Sequence, residues 1–169
     1  MGLRFFSPPM LKGVHFAAIL LVALVAWPAE SKSNNPFDQL KGYWSGGGTI
    51  TPIAGKPEKV SCRVTYSVEG SNVSQNIRCA GTDYKFTTGA KLTYTSGRIT
   101  GSWSEQNYDA AGSVTGTATG SSVNANISGQ KFTGRMSISI KGSSHHISIV
   151  QLDRKSGGYR PVASVSLSR

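Results

Sequence analysis

Apolar and polar residues alternate with a period of two along most of the chain after Pro36, and glycine-containing turn signals interrupt the alternation at short intervals. Side chains that point alternately to the two faces of a strand produce this pattern, whereas a helix repeats its apolar positions every three or four residues. The sequence therefore predicts an all-β fold of many short antiparallel strands joined by tight turns.

The clearest hairpin lies in the stretch SCRVTYSVEGSNVSQNIRC, residues 61–79. Gly70-Ser71 has the glycine-first pattern of a two-residue type II′ turn, and such a turn fixes the register of its two strands. The predicted pairs are Val68 with Val73, Tyr66 with Gln75, Val64 with Ile77, and Cys62 with Cys79. These pairs lie on one face of the hairpin, which is predicted to point into the core.

Further turn signals extend the register along the chain. They are Thr87-Thr88-Gly89 (pairing Phe86 with Ala90 and Tyr84 with Leu92), Ser96-Gly97 (Tyr94 with Ile99, Leu92 with Gly101), Gly120-Ser121 (Ala118 with Val123, Val114 with Ile127), Gly129-Gln130 (Ile127 with Phe132, Val123 with Met136) and Gly142-Ser143 (Ile138 with Ile147, Met136 with Ile149). Each turn puts apolar residues on one face. A slip of one residue would turn a whole strand over, so this agreement supports the register.

The strands are predicted to form a meander of about ten that closes into an up-and-down barrel. Closure removes both exposed edges of the meander, with residues 161–168 at the end of the chain pairing with residues 42–50. Apolar residues then point inward and polar residues outward, whereas an outer-membrane barrel turns an apolar band towards lipid. We therefore expect a soluble barrel.

Cys62 and Cys79 are the two cysteines of the chain. The hairpin register puts them directly opposite each other at a non-hydrogen-bonded pair, where Cα atoms approach to roughly 4.5 Å and a disulfide fits. The alternative is a pair of buried free thiols. Export to an oxidising compartment favours the disulfide, as a structural bond rather than a redox site.

Residues 1–29 are predicted to be a secretory signal peptide. Arg4 and Lys12 are followed by the apolar stretch VHFAAILLVALVAW, which is the pattern of such peptides. A transmembrane anchor is the alternative, but it needs about 20 apolar residues. We expect residues 30–36 to be a flexible leader and residues 37–169 to be a single barrel domain, exported to the bacterial periplasm or the extracellular space.

The predicted inward face is rich in aromatic residues from the first half of the chain. The candidate ligand-contacting residues are Trp44, Tyr66, Tyr84, Tyr94, Trp103 and His145. Elsewhere on this face the register lines up Gly101, Gly116, Ala125 and Gly134 in one row. This row predicts either a cavity for an apolar or aromatic ligand, or a tightly coiled sheet over a filled core.

The predicted outward face carries a row of four cations that the register places opposite one another on neighbouring strands, in the order Arg63, Arg78, Lys85 and Lys91. The formal net charge is +10, and it is +8 without the two basic residues of the predicted signal peptide. Like charges directly opposite each other destabilise a sheet. The row therefore suggests an anionic envelope component or protein as partner, or else a solvated basic surface.

A short stretch resembles the opening of calycin barrels. LKGYWSGGGTI, with Gly42-x-Trp44 on the first strand, is similar to the first strand of lipocalins, avidins and small periplasmic metalloprotease inhibitors. The resemblance implies that Trp44 closes one end of the barrel. The inhibitors also carry a single disulfide after the first strand, as Cys62 and Cys79 would here.

No catalytic motif is present in the sequence. The eight acidic residues are scattered, and no serine has a histidine and a carboxylate placed beside it. His145 and His146 are adjacent on one predicted strand, so they point to opposite faces and cannot chelate one metal ion. A single ligand to a haem or metal is the alternative for His145, but we expect no cofactor, no metal site and no enzyme.

The sequence therefore predicts an exported, non-catalytic binding or accessory protein of the cell envelope. It would hold a small apolar ligand inside the barrel or an anionic partner on its basic outer face. The alternative is a periplasmic protease inhibitor that uses SKSNNPFDQL or its loop tips. Nucleic acid is a poor candidate partner, because the aromatic residues point inward, away from the cations.

Overall fold

The structure, a computed structural model, describes residues 1–2 and 35–169. The predicted signal peptide, apart from its first two residues, and most of the predicted leader lie outside the described residues. The leader's last residues, Asn35 and Pro36, are described, and both are buried. Within the described ranges, no helix is long and apolar enough to cross a membrane.

Antiparallel strands form a closed barrel of ten, preceded by a short 3₁₀ helix at Pro36–Gln39, which we term the cap helix. The strands are β1 (Gly42–Ile50), β2 (Glu58–Glu69), β3 (Asn72–Ala80), β4 (Lys85–Thr95), β5 (Arg98–Glu105), β6 (Ala110–Thr119), β7 (Ser122–Gly129), β8 (Thr133–Lys141), β9 (Ser144–Leu152) and β10 (Tyr159–Ser168). Each strand pairs with its neighbours in chain order, and β10 pairs with β1. The predicted all-β meander and its closure are confirmed.

Most of the predicted tight turns are confirmed together with their strand pairs, namely Gly70-Ser71, Ser96-Gly97, Gly120-Ser121 and Gly142-Ser143. Gly70, Gly120 and Gly142 have φ values of 59°, 52° and 57°. A type II′ turn requires positive φ at its first central residue, and glycine adopts it without steric cost.

The predicted loop at Thr87-Thr88-Gly89 is wrong. β4 runs through these residues without interruption, and the connection from β3 lies at residues 81–84. Phe86 therefore pairs with Cys79 rather than with Ala90, and Tyr84 lies in the loop rather than opposite Leu92. Gly89 does not adopt positive φ, and the β-branched threonines before it favour a strand over a turn.

The predicted two-residue turn at Gly129-Gln130 is also wrong, because a longer loop joins β7 to β8. Val123 consequently pairs with Ile138 rather than with Met136, a shift of two residues. An even shift leaves every side chain on its predicted face. The inward and outward assignments therefore hold in spite of the wrong register.

The predicted disulfide between Cys62 and Cys79 is confirmed, with a Cα–Cα distance of 4.1 Å. It joins β2 to β3 across directly opposed residues. The cysteines are 17 residues apart, and closing a loop of about this length in the unfolded chain is worth roughly 3 kcal/mol. The bond therefore stabilises this hairpin within the barrel wall.

The two ends of the barrel differ in their connections. The confirmed tight turns and the cap helix lie at one end, which we term the sealed end. Asn35, which precedes the cap helix, and Gln39, its last residue, donate side-chain hydrogen bonds to the carbonyls of Gly70 and Gly120, at 3.2 and 2.9 Å. The longer loops between the strands lie at the opposite end, which we term the open end.

Candidate binding sites

His145 lies in a buried cluster of aromatic and polar side chains at the sealed end. Its ring packs edge-on against Trp44 and Tyr66, with ring centroids 4.5 and 5.7 Å away. The Trp44 indole Nε1 donates to the carbonyl of Leu40 at 2.6 Å. Gln75 Nε2 donates to the Tyr66 hydroxyl at 3.0 Å, and that hydroxyl lies 3.4 Å from His145 Nε2.

Burial determines how this cluster titrates. Burial, together with a smaller effect of the neighbouring His146, lowers the pKa of His145 to about 4. Burial also raises the pKa of the Tyr66 hydroxyl above its usual range, although the hydrogen bond from Gln75 acts in the opposite direction. His145 is therefore neutral at neutral pH, and its Nδ1 has no hydrogen-bond partner within the described residues.

The cap helix and the residue that follows it cover this cluster. Phe37 and Leu40 are 1% and 0% exposed, and Trp44 beneath them is 0% exposed. Tyr94, the remaining candidate at this end, packs against Phe37 with ring centroids 6.3 Å apart. These side chains fill the sealed end and form part of the core.

Partly buried apolar side chains collect instead at the open end. These residues, the open-end apolar set, point inward and are Ile50, Ile77, Phe86, Trp103, Ile127, Met136 and Ile149. Inward residues at the sealed end are almost all buried. Solvent therefore reaches the apolar interior from the open end.

Trp103 and Phe132 cover the glycines of the open end. Their rings meet edge-to-face with centroids 5.8 Å apart. A Cβ atom on Gly129 would lie 3.1 Å from Trp103 Cζ2, and one on Gly134 would lie 2.7 Å from Phe132 Cε1. Phe132 reaches this position from the β7–β8 loop rather than from a strand position opposite Ile127.

The predicted row of small residues is therefore not a cavity. Gly116 and Ala125 do face each other, but Gly101 pairs with Val114 and Gly134 pairs with Ile127. Gly134 leaves the row because the β7–β8 register is shifted. Phe132 occupies the space beside Gly134, and a Cβ atom on Gly101 would lie 3.0 Å from Leu92 Cδ2, which agrees with the alternative of a filled core.

Tyr84 lies in the β3–β4 loop, outside the barrel interior. It lines a cleft of about 490 Å³ between this loop and the β1–β2 loop, together with Lys56, Pro57, Glu58, Thr82 and Asp83. Glu58 Oε1 accepts a hydrogen bond from the Asp83 backbone N–H at 2.8 Å, while its buried Oε2 has no partner among the described residues. Tyr84 was predicted to point inward because the loop was placed at residues 87–89 rather than at residues 81–84.

A larger groove, of about 740 Å³, lies on the outer face of β1–β5; we term it the basic groove. Arg63 and Arg78 face each other across β2 and β3 as predicted. The rest of the predicted cation row is wrong, because Arg78 pairs with Thr87 rather than with Lys85, and Lys91 pairs with Ser74. Arg63, Arg78 and Lys91 line the groove, whereas Lys85 does not.

The predicted interior residues do not form a single site. Four of them lie at the sealed end, namely Trp44, Tyr66, Tyr94 and His145, whereas Trp103 lies at the open end and Tyr84 lies in a loop. Two features of the candidate sites were missed in the sequence. Phe132 was placed on a strand, and Gly89 was assigned to a turn although it forms part of the groove floor.

No group of three metal-ligating side chains occurs within the described part of the chain. His145 is buried and pairs with Ile140, whereas His146 on the opposite face lies 3.0 Å through Nδ1 from the Ser166 hydroxyl. The two histidines thus point to opposite faces, as predicted.

The sequence matches no family model and no curated protein. Its fold is similar to that of Rv2717c from M. tuberculosis, at a TM-score of 0.66 and 13% identity, over 80% of this chain and 97% of that one. It is also similar to the S-type phycobiliprotein lyase CPES from Guillardia theta, at a TM-score of 0.50 and 13% identity, over 78% of this chain and 87% of that one. At this identity the likenesses establish the antiparallel barrel fold alone.

Proposed function

We propose that this protein is an exported, non-catalytic binding protein that holds a small apolar ligand at the open end of its barrel. The observation that carries the proposal is the unequal burial of the inward apolar residues. Apolar side chains are buried at the sealed end and stay partly exposed at the open end. A ligand that covers the open-end apolar set would remove this surface from water.

Trp103 and Phe132 give the site its shape. The Trp103 indole Nε1 donates to the carbonyl of Ser128 at 3.4 Å, which fixes the ring plane. Phe132 packs edge-on against it from a loop. A flat aromatic or alicyclic ligand can stack on such rings.

The expected affinity is modest. Covering about 300 Å² of apolar surface contributes roughly 7–8 kcal/mol before the cost of association. Micromolar binding requires about 8 kcal/mol after that cost. We therefore expect simple apolar probes to bind more weakly than micromolar.

The fold comparison supports binding of a small ligand, since a phycobiliprotein lyase shares the barrel. The apolar stretch near the N-terminus and the disulfide support export. No observation favours the protease-inhibitor alternative. Phe37 and Leu40, at the end of its predicted inhibitory segment, are buried in the barrel. For the residues before Asn35 and the loop tips, inhibition stays a prediction.

The test is a titration with N-phenyl-1-naphthylamine, an uncharged fluorescent probe that the basic groove does not attract. Binding at the open end should quench the emission of Trp103 by energy transfer and should increase the fluorescence of the probe. Phe132→Ala should weaken binding several-fold, because it removes one face of the site. Tyr108→Ala is the matched control, since Tyr108 is an aromatic residue of another open-end loop and is 54% exposed.

Equal affinity in the Phe132→Ala and Tyr108→Ala variants would place the probe elsewhere and overturn the open-end site. Absence of saturable binding to the unmodified protein would do the same. Far-UV circular dichroism of each variant verifies that the barrel has folded.

A further inference from the structure

The basic groove on the outside of the barrel has the features of a second binding site. We propose that it binds an acidic oligosaccharide, with the carboxylates or sulfates of the sugar on Arg63, Arg78 and Lys91. The groove has room for such a ligand, because pockets of about 300–1,000 Å³ accommodate small organic molecules and this one measures about 740 Å³.

The charge in the groove is positive and uncompensated. Arg63 and Arg78 are directly opposed residues, whose Cα atoms lie roughly 5 Å apart in an antiparallel pair. Within the described residues, no carboxylate lines the groove, and neither arginine nor Lys91 takes part in an ion pair. Like charges opposed in this way destabilise the sheet until an anion binds between them.

Gly89 in β4 gives the groove its depth. Most strand glycines in the described barrel have a neighbour that a side chain would strike; a Cβ on Gly116, for instance, would lie 2.8 Å from the Cα of Ala125. A Cβ on Gly89 would meet only the Ser104 hydroxyl, at 3.9 Å, and its φ is not positive. Neither sterics nor backbone conformation requires glycine here, yet its presence leaves the centre of the groove open.

The polar groups of the groove fit a sugar better than they fit a bare anion. Hydroxyl and amide side chains cover the floor and can exchange hydrogen bonds with sugar hydroxyls; they are Thr65, Ser67, Ser74, Asn76, Ser102 and Ser104. Tyr43 stands at the edge and is 54% exposed, so it offers an aromatic face on which a pyranose ring can stack.

Other anionic partners fit the groove less well. Single-stranded nucleic acid needs several exposed aromatic side chains for successive bases, and within the described chain the groove offers Tyr43 as its one well-exposed aromatic ring. A protein interface usually has an apolar centre, whereas the centre here is made of serine, asparagine and glycine. The combination of cations, hydroxyls and a single ring favours an acidic sugar.

Isothermal titration calorimetry with tri-galacturonate, at low and at physiological salt, tests the proposal. Maltotriose, an uncharged trisaccharide, and a deoxythymidine decamer serve as comparison ligands. We expect tri-galacturonate to bind with an affinity that falls as salt rises, and maltotriose to bind at least tenfold more weakly. Gly89→Ile fills the floor of the groove and should weaken tri-galacturonate binding at least tenfold, with an unchanged or higher melting temperature.

Arg78→Gln provides a second variant that does not depend on packing, and it should also weaken binding at least tenfold. Arg135→Gln is its control, because it removes the same charge from the outer face of β8, away from the groove. The proposal would be overturned if the two arginine variants lost the same affinity for tri-galacturonate. It would also be overturned if tri-galacturonate did not bind detectably, or if the decamer bound more tightly. Gly89→Ile should leave the binding of N-phenyl-1-naphthylamine at the open end unchanged, so the two sites are tested independently.

Discussion

The sealed end and the open end of this barrel are built from the same alternating strands, but they differ in what covers them. At the sealed end, Phe37 of the cap helix and Leu40 directly after the helix are buried beside Trp44, and the backbone turns sharply between strands. At the open end the connections are longer, and Trp103 and Phe132 are the rings that lie over the interior. The apolar interior is buried at the sealed end and partly exposed at the open end.

If the open end binds a ligand as proposed, the barrel divides stability and binding between its two ends. Well-packed apolar groups contribute most to stability when they are fully buried. Apolar groups that remain partly exposed contribute less to the fold, and a ligand that covered them would remove their surface from water. Aromatic content alone does not distinguish the ends, because both contain a tryptophan.

The largest effect is expected from removing the tryptophan of each end in turn. Trp44→Ala should lower the free energy of unfolding by about 3–5 kcal/mol, because the side chain is fully buried and its loss leaves a cavity. Trp103→Ala should cost roughly 1–2 kcal/mol, since its side chain is already partly in water. Urea denaturation with the disulfide intact measures both values.

Equal costs for the two substitutions would break the comparison, because the open end would then be packed as firmly as the sealed end. Trp44→Phe is the conservative control. It keeps an aromatic ring against His145 but loses the hydrogen bond to the Leu40 carbonyl, and we expect an intermediate cost.

A pH dependence should come from the sealed end. The pKa of His145 is about 4 in the folded protein and 6.5 as its ordinary value. As the pH falls from 6.5 towards 4, the unfolded chain binds a proton that the folded protein does not, so stability declines across this window. Protonation of His145 should lower the free energy of unfolding by about 3 kcal/mol in total. Above pH 6.5 the contribution of His145 to this free energy does not change with pH.

Chemical denaturation at half-unit intervals between pH 4 and 7.5 measures this slope. His145→Phe should flatten it, because a ring remains between Trp44 and Tyr66 but no longer titrates. His146→Gln should leave most of the slope in place, since His146 is the smaller cause of the shift. An unchanged slope in the His145→Phe variant would assign the dependence to other groups.

The fold was largely predictable from the sequence because turn chemistry and strand alternation agree. Gly70, Gly120 and Gly142 adopt the positive φ that the predicted turns require, so each turn set the register of its own hairpin. Gly89 and Gly129 have no such φ, and there the predicted turns failed. A single sequence does not show which glycines adopt positive φ, so a glycine beside threonine in a strand resembles a turn.

The candidate sites were less predictable, because they depend on relations between distant residues. Alternation showed that Trp44 and Trp103 point inward but not that a helix covers one of them. The packing of Phe132 over Gly134 follows from a loop length that the register had missed. The basic groove depends on the position of Gly89 two residues before Lys91 in β4, whereas the wrong strand pairings around residues 80–91 had placed Lys85 in the row as well.

The smallest effect should come from the hydrogen bonds that hold the cap helix in place. Asn35 Oδ1 accepts from the Phe37 N–H at 3.1 Å and its Nδ2 donates to the Gly70 carbonyl at 3.2 Å. Asn35→Ala removes both bonds, at an expected cost of about 1 kcal/mol. Gln39→Ala is the control, because its single bond to the Gly120 carbonyl is exposed, and it should cost less than about 0.5 kcal/mol.

Hydrogen exchange of the Trp44 indole N–H gives a more direct measurement of the same contact. This group is buried and bonded to the Leu40 carbonyl at the end of the cap helix, so it exchanges only when the helix opens or the barrel unfolds. The indole N–H should exchange faster than the backbone amides in the middle of β7 in the unmodified protein, and Asn35→Ala should speed it about fivefold, which corresponds to roughly 1 kcal/mol. If the indole is protected as strongly as those amides, the cap helix opens only with the whole barrel, and the sealed end is then closed by the global fold rather than by its own contacts.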